Sequence, residues 1–178
     1  MQINTTRFGE VSIEENDVIS FPEGLLGFSE LKKFVLLDDP DDDIFAWLQS
    51  CENASVAFPV LEPELFAGDY KVKLGKRDMS SLNINSMDRV RIYSIVTIPE
   101  DPTQMTANLK APIVINIPNR VASQCVLQDN DLPIRQPIFT KLQQRFVQPT
   151  ASPFTSLEKD VELAVKITPS TKGMVKEL

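Results

Sequence analysis

Short runs of alternating or β-branched residues, each stopped by turn residues, make up most of the chain. GEVSIEE, from Gly9, alternates: Val11 and Ile13 lie on one face, Glu10, Ser12 and Glu14 on the other. Val18–Phe21 follows and ends in a Pro/Gly turn. KFVLLD, from Lys33, runs into an acidic loop, and IFAWLQS (from Ile44) and ASVAFPVL (from Ala54) read as neighbouring strands. DYKVKL puts Tyr70, Val72 and Leu74 on one face with Lys71 and Lys73 opposite. RVRIYSIVTI, from Arg89, is the longest strand candidate, and its second half is apolar on both faces, the mark of a central strand. PIVINI and QCVLQ complete the set. Helix is scarce: Asp78 reads as the N-cap of MSSLNIN, and LQQRF after Phe139 reads as a turn or two. Many short strands with frequent turns make the fold mostly β, a barrel or a sandwich.

The last forty or so residues have a different texture. QPTASPFTS, near 148–156, has the Pro/Ser/Thr composition of a linker. LEKDVELAVKI then fits two templates. Leu157, Val161, Ala164 and Val165 recur at helical spacing, while Val161, Leu163, Val165 and Ile167 recur at strand spacing. Periodicity leaves both open, and the polar end TPSTKGMVKEL carries no periodic signal. The chain therefore divides into a β domain over 1–137 and a partly ordered extension over 138–178, of which Leu157–Ile167 is expected to dock on the domain.

A chain of 178 residues is long enough to bury a core. No apolar stretch approaches the roughly 18–20 residues of a membrane helix, and MQINTTRFGEVSIEE lacks the basic start and apolar run of a secretory signal. A cytoplasmic location is expected. The sequence contains no histidine, which removes the usual general base, zinc ligand and pH switch together. Cys51 and Cys125 sit in apolar surroundings and read as reduced structural thiols. The formal charge of −7 is uneven. Residues 1–137 carry 12 Lys/Arg against 21 Asp/Glu, a net of −9, and residues 138–178 carry 6 against 4, a net of +2. An acidic body repels phosphate backbones and attracts basic proteins.

Three constellations carry candidate chemistry. Asp38, Asp39, Asp41, Asp42 and Asp43 crowd around Pro40. The spacing lacks the central glycine and closing glutamate of a calcium loop, so a solvated turn or a surface for a cationic partner is expected, not a metal site. FPEGLLGF (Phe21–Phe28) places Pro22 and Gly24 as in a type I turn. Leu25, Leu26 and Phe28 then either fold into the core or form an apolar anchor for a partner. MTANLKAPIVIN (Met105–Asn116) sets Thr106, Asn108 and Lys110 at a strand entrance, where they brace backbone groups or form a secondary patch. Trp47 fits core or interface equally.

The same segments in the same order, RFGE, FPEGLLGF, FAWLQS, AFPVLEP, IVTIPEDPTQMTANLKAPIVIN and QCVLQDNDLPIRQP, resemble the FliW family of flagellar assembly factors from the start to about Pro137. The resemblance implies a small, monomeric antiparallel β-barrel-like domain with one or two short helices, here with a C-terminal extension, with no enzymatic activity and no cofactor. It implies two protein partners in the cytoplasm: flagellin, and the RNA-binding translational repressor CsrA. They bind in mutual exclusion, so that exported flagellin frees the factor to antagonise CsrA and restore flagellin synthesis. A dedicated flagellin chaperone without CsrA regulation is the alternative. Family members often end near QPIF, so residues 138–178 have no assigned counterpart. Partner contacts are expected at Leu25, Leu26 and Phe28 and at Asp38, Asp39, Asp41, Asp42 and Asp43, with Thr106, Asn108 and Lys110 secondary.

Overall fold

The computed structural model describes residues 1–147 and 163–167. Twelve short strands and two helices follow one another: β1 (Gln2–Thr5), β2 (Gly9–Ser12), β3 (Ile19–Ser20), β4 (Lys33–Asp38), β5 (Ala46–Ser50), β6 (Ala57–Leu61), α1 (Lys76–Ser81), β7 (Val90–Thr97), β8 (Thr106–Ala107), β9 (Ile113–Asn116), β10 (Val121–Gln124), β11 (Gln136–Pro137), α2 (Phe139–Val147) and β12 (Val165–Lys166). The order β7-β6-β5-β4-β3-β10-β9, with β9 pairing back onto β7, closes a seven-stranded barrel. Neighbours are antiparallel except at β10–β3. β8 and β11 extend the sheet from β7, and the β1–β2 hairpin stands apart from the ladder.

Strand alternation sorts the apolar residues into an inside and an outside. Phe34 and Leu36 of β4, Leu48 of β5, Val60 of β6, Tyr93 of β7 and Ile113 and Ile115 of β9 fill the barrel interior. Val35 and Leu37, on the other face of β4, are also fully buried, because the β1–β2 hairpin lays Ile3, Val11 and Ile13 over them. That second layer is why KFVLLD reads as a continuous apolar run. A third cluster, around Phe45, Leu61, Met105 and Leu109, is closed by Ile138 and Leu142 at the start of α2. A fourth lies beneath α1 and joins Leu82, Ile84, Val114 and Cys125. Both cysteines are free, and burial first of all pushes each thiol up to about 11.

Buried polar side chains hold the turns. Gln49, fully buried, donates from Nε2 to the carbonyls of Ser50, Asn53, Ala54 and Val56 at 3.0–3.4 Å, so the β5–β6 connection is wrapped around one amide. Asn116 donates from Nδ2 to Leu82 and Asn83 carbonyls at 2.8 and 3.1 Å, tying the end of α1 to β9. The Asn53, Ala54 and Val56 carbonyls also accept backbone amides, so Gln49 adds second bonds that draw the turn together.

Three elements differ from the sequence pattern, and a fourth settles an alternative it left open. DYKVKL alternates but joins no ladder: Val72 and Leu74 pack over the α1 cluster and Tyr70 turns to the Met105 cluster, donating its hydroxyl to the Leu109 carbonyl at 2.7 Å. β10 precedes QCVLQ, because the turn over 117–120 starts the return strand at Val121. The Cys125 and Leu127 amides still bond to the Pro112 and Lys110 carbonyls in the same register. The first helix begins at Lys76, so Asp78 sits in its first turn and not at the cap, which is Gly75. Residues 163–167 take the strand alternative, with Val165 and Lys166 parallel to Leu37 and Asp38. The linker over 148–156, Leu157 and the polar end over 168–178 lie outside the described residues.

Leu36→Ala should lower unfolding free energy by about 3 kcal/mol, inside the range of about 2–5 kcal/mol for an emptied leucine site, measured by urea denaturation. A cost under about 1 kcal/mol would contradict a close-packed barrel interior.

Candidate functional site: an acidic cleft at one rim of the barrel

β4 ends at Asp38 and the chain turns through Asp39–Asp43 before entering β5. Repulsion among crowded carboxylates would splay such a turn, so most of them need a donor. Asp39, almost fully buried, accepts from the Asp41 amide at 3.0 Å and from the Arg7 guanidinium at 3.2 Å. Asp42 accepts from the amides of Ile44 and Phe45 at 2.7 and 3.4 Å. Arg7 is itself fixed from beneath: its guanidinium lies 3.8 Å from the Trp47 ring centroid, and Phe8 meets Trp47 edge-on at 6.5 Å. The lone tryptophan thus serves as the platform for the cation that neutralises Asp39.

Beside this turn lies a cleft of about 430 Å³. Its walls carry Asp38, Asp39, Asp42, Asp43 and Glu62; its floor is apolar, with Ile44, Phe45, Val60, Leu61 and Leu65. Ala164, Lys166 and Ile167 close one side, and Lys166 is the only lysine or arginine among the described lining residues. Glu62 pairs with Arg91 at 3.1 Å. Burial still raises the Glu62 pKa above the usual carboxylate value, Arg91 opposing and Glu64 adding to the rise. Tyr93 also lines the cleft; burial, reinforced by Glu62, raises its pKa further, so its hydroxyl stays a neutral donor. Sequence reading missed Glu62, Arg91, Tyr93 and Lys166. The acidic residue ending AFPVLE was a usable signal for the first; the others come from strands that only pairing brings together.

The acidic turn follows β4 and the Phe21–Phe28 loop precedes it, so these two groups of expected partner residues lie at opposite ends of the strand. Asp38, Asp39, Asp42 and Asp43 reach the cleft, whereas Asp41 is exposed to solvent away from its lining. The other group surrounds Gln124, whose side chain accepts from the Leu26 amide at 3.0 Å and donates to the Ala111 carbonyl at 3.2 Å. Leu26 is 60% exposed. Leu25 is not available to a partner: at 3% exposure it lies in the barrel core. Phe28 is half-buried and packs edge-on against Phe58 at 5.2 Å. The reason is Gly24, at φ +66°, where an added Cβ would stand 2.6 Å from the Phe28 carbonyl oxygen; that tight fold tips Leu25 inward. Asn108 braces the next turn, accepting from the Lys110 and Ala111 amides at 3.0 Å each. Lys110 donates to the Asp129 carbonyl, and Thr106 pairs in register with Thr97 and Pro137.

The fold and cleft define a class first: a small closed β-barrel with carboxylates gathered beside apolar residues in a cleft at one rim. The model of the family described as "FliW protein" matches residues 2–138. A flagellar assembly factor FliW of Bdellovibrio bacteriovorus is 60% identical over 167 residues, covering 94% of this chain and 95% of that one. One from Clostridium tetani is 40% identical over 139 residues, covering 78% and 96%. A crystal structure of the flagellar assembly factor FliW superposes with a TM-score of 0.74 at 32% identity, covering 78% of this chain and 97% of its own. This chain belongs to the FliW family of flagellar assembly factors.

Two variants separate core from surface in the Phe21–Phe28 loop. Leu25→Asp should cost about 3 kcal/mol or more, a buried unpaired charge, while Leu26→Asp should stay within about 0.5 kcal/mol of the parent; both are read by thermal melting. Glu62 gives a pH prediction. Its raised folded-state pKa means protonation favours the folded chain, a contribution present at low pH and lost as pH rises through the folded value. The stability of Glu62→Gln relative to the parent should therefore increase between pH 4 and pH 7 in urea titrations; a constant difference would mean the Arg91 pair cancels the burial cost.

Proposed function

We propose that the chain is a non-catalytic binding protein of the cytoplasm, monomeric when free, that holds flagellin and, in mutual exclusion, the RNA-binding repressor CsrA. Captured flagellin keeps it from CsrA; export of flagellin releases it to bind CsrA and relieve repression of flagellin synthesis. The observation that carries this reading is the acidic cleft with an apolar floor, set in a member of a family of flagellar assembly factors. Carboxylates on the walls suit a basic, RNA-binding protein. Ile44 and Leu65, half-buried in the cleft lining, suit the amphipathic terminal segments of an unassembled filament subunit. Competition for one surface needs no chemistry, only overlapping footprints, and a chain without histidine lacks the commonest general base.

Size-exclusion chromatography of the chain with purified CsrA should give one co-eluting complex, and added flagellin should displace CsrA from it. Asp43→Lys, at the exposed edge of the cleft, should weaken CsrA binding by about tenfold at low salt. A stable ternary complex of all three proteins would overturn mutual exclusion. Co-elution with flagellin but never with CsrA would instead assign the chain a chaperone role alone.

A further inference from the structure

The seam between β3 and β4 is incomplete within the barrel itself. β4 pairs with β5 from Phe34 to Asp38, but on its other side β3 reaches only Lys33 and Phe34. The backbone beyond is an open edge of the kind that accepts further strands. Here Val165 and Lys166 occupy it, parallel to Leu37 and Asp38. The seat has a chemical pattern. Leu163 enters the barrel core, Val165 and Ile167 pack on the layer holding Val35 and Leu37, and Lys166 turns to the acidic cleft.

This strand is an addition to a barrel that the family builds without it. The family model ends at residue 138, and the relative from Clostridium tetani is matched over 96% of its own length by 139 residues of this chain. The match to the Bdellovibrio bacteriovorus relative, covering 94% of this chain, takes in residues 163–167. The edge of β4 thus belongs to the shared barrel, and its occupant belongs to the longer chains.

We propose that the Val35–Asp38 edge of β4 is a strand-acceptor site for a protein partner, and that residues 163–167 are its built-in, displaceable occupant. The partner segment it fits is extended, apolar at alternate positions, with a lysine or arginine directed at the cleft. The proposal rests on the reading of the chain as a partner-binding protein. It adds a regulatory consequence: partner affinity is set against an intramolecular strand of the same pattern.

The probe is a fluorescently labelled synthetic peptide, DVELAVKITP, with the sequence of residues 160–169. The full chain carrying Leu163→Ser and Val165→Ser, which weakens the occupant without altering charge, should bind the peptide at least about tenfold more tightly than the unaltered chain, since a competing internal strand lowers apparent affinity by the vacant fraction. In the unaltered chain, excess peptide should speed hydrogen exchange at 163–167. This second measurement decides the matter if the double variant fails to fold. No binding by a folded variant, or unchanged exchange at saturating peptide, would overturn the acceptor site. A further arm adds the peptide to whichever protein co-elutes with the chain: loss of co-elution supports partner docking at this edge, and unimpaired co-elution confines the edge to a structural role. Peptide binding with neither CsrA nor flagellin co-eluting would sink the functional reading while leaving the acceptor site standing.

Discussion

Every strand of a closed barrel must find hydrogen-bond partners along both edges, and β4 is left by its barrel neighbour β3 with most of one edge uncovered. A two-residue β3 cannot cover a six-residue β4. Two consequences follow from that mismatch. The outer face of β4, with Val35 and Leu37, is roofed by the β1–β2 hairpin, and the exposed backbone edge is covered by β12. Both solutions add material around one strand, β4, whose Phe34, Val35, Leu36 and Leu37 are fully buried. They also bring the N-terminal hairpin, the acidic turn and the C-terminal segment to one place.

The electrostatics of that place follow from the same enclosure. A turn with five aspartates tolerates its own repulsion where backbone amides and one fixed cation absorb part of it. Arg7 comes from the hairpin that roofs β4, rests on Trp47 of β5 and reaches Asp39. The pair is half-exposed on the arginine side, so its direct contribution to stability is small. Its larger effect is positional, because it fixes the Asp39 carboxylate at the cleft beside Asp38, Asp42 and Asp43. With Glu62 in the lining as well, five carboxylates and one lysine of the described residues meet an apolar surface there. Low-dielectric walls strengthen the field of such charges.

How far this was legible in the sequence depends on how local each determinant is. KFVLLD, IFAWLQS, ASVAFPVL and RVRIYSIVTI announced β4, β5, β6 and β7 because short apolar, β-branched or alternating runs bounded by turn residues are written directly into the side chains. DYKVKL misled by its alternation, which predicts two faces in different environments, and both a ladder and a lone extended segment supply them. QCVLQ is more apolar than VASQ, yet the turn at 117–120, with Arg120 at φ +53°, fixes where pairing restarts. The acidic turn was visible as composition, but its cation, Arg7, lies 32 positions away from Asp39, and no periodicity links them. The fate of Leu25 was equally hidden, since the inward tilt depends on how closely Gly24 approaches the Phe28 backbone. Ambiguity in LEKDVELAVKI was real: helix and strand templates fit, and only an available edge on β4 selects strand for 163–167.

That selection bears on how a barrel of this size can respond to a partner. The interior is filled by Phe34, Leu36, Ile113 and Ile115 and cannot rearrange without forming cavities. Any adjustable part must therefore sit on the outside, attached by few contacts. Residues 163–167 lie at the edge of β4 and only Leu163 reaches the barrel core: two residues are paired in register, against five along β4–β5. Yet they carry three apolar side chains and a cation placed on the cleft wall. A segment held by side chains more than by its ladder can be exchanged for another of like pattern without opening the barrel. The rigid core sets the geometry of the edge, and the weakly laddered strand sets how readily it is given up.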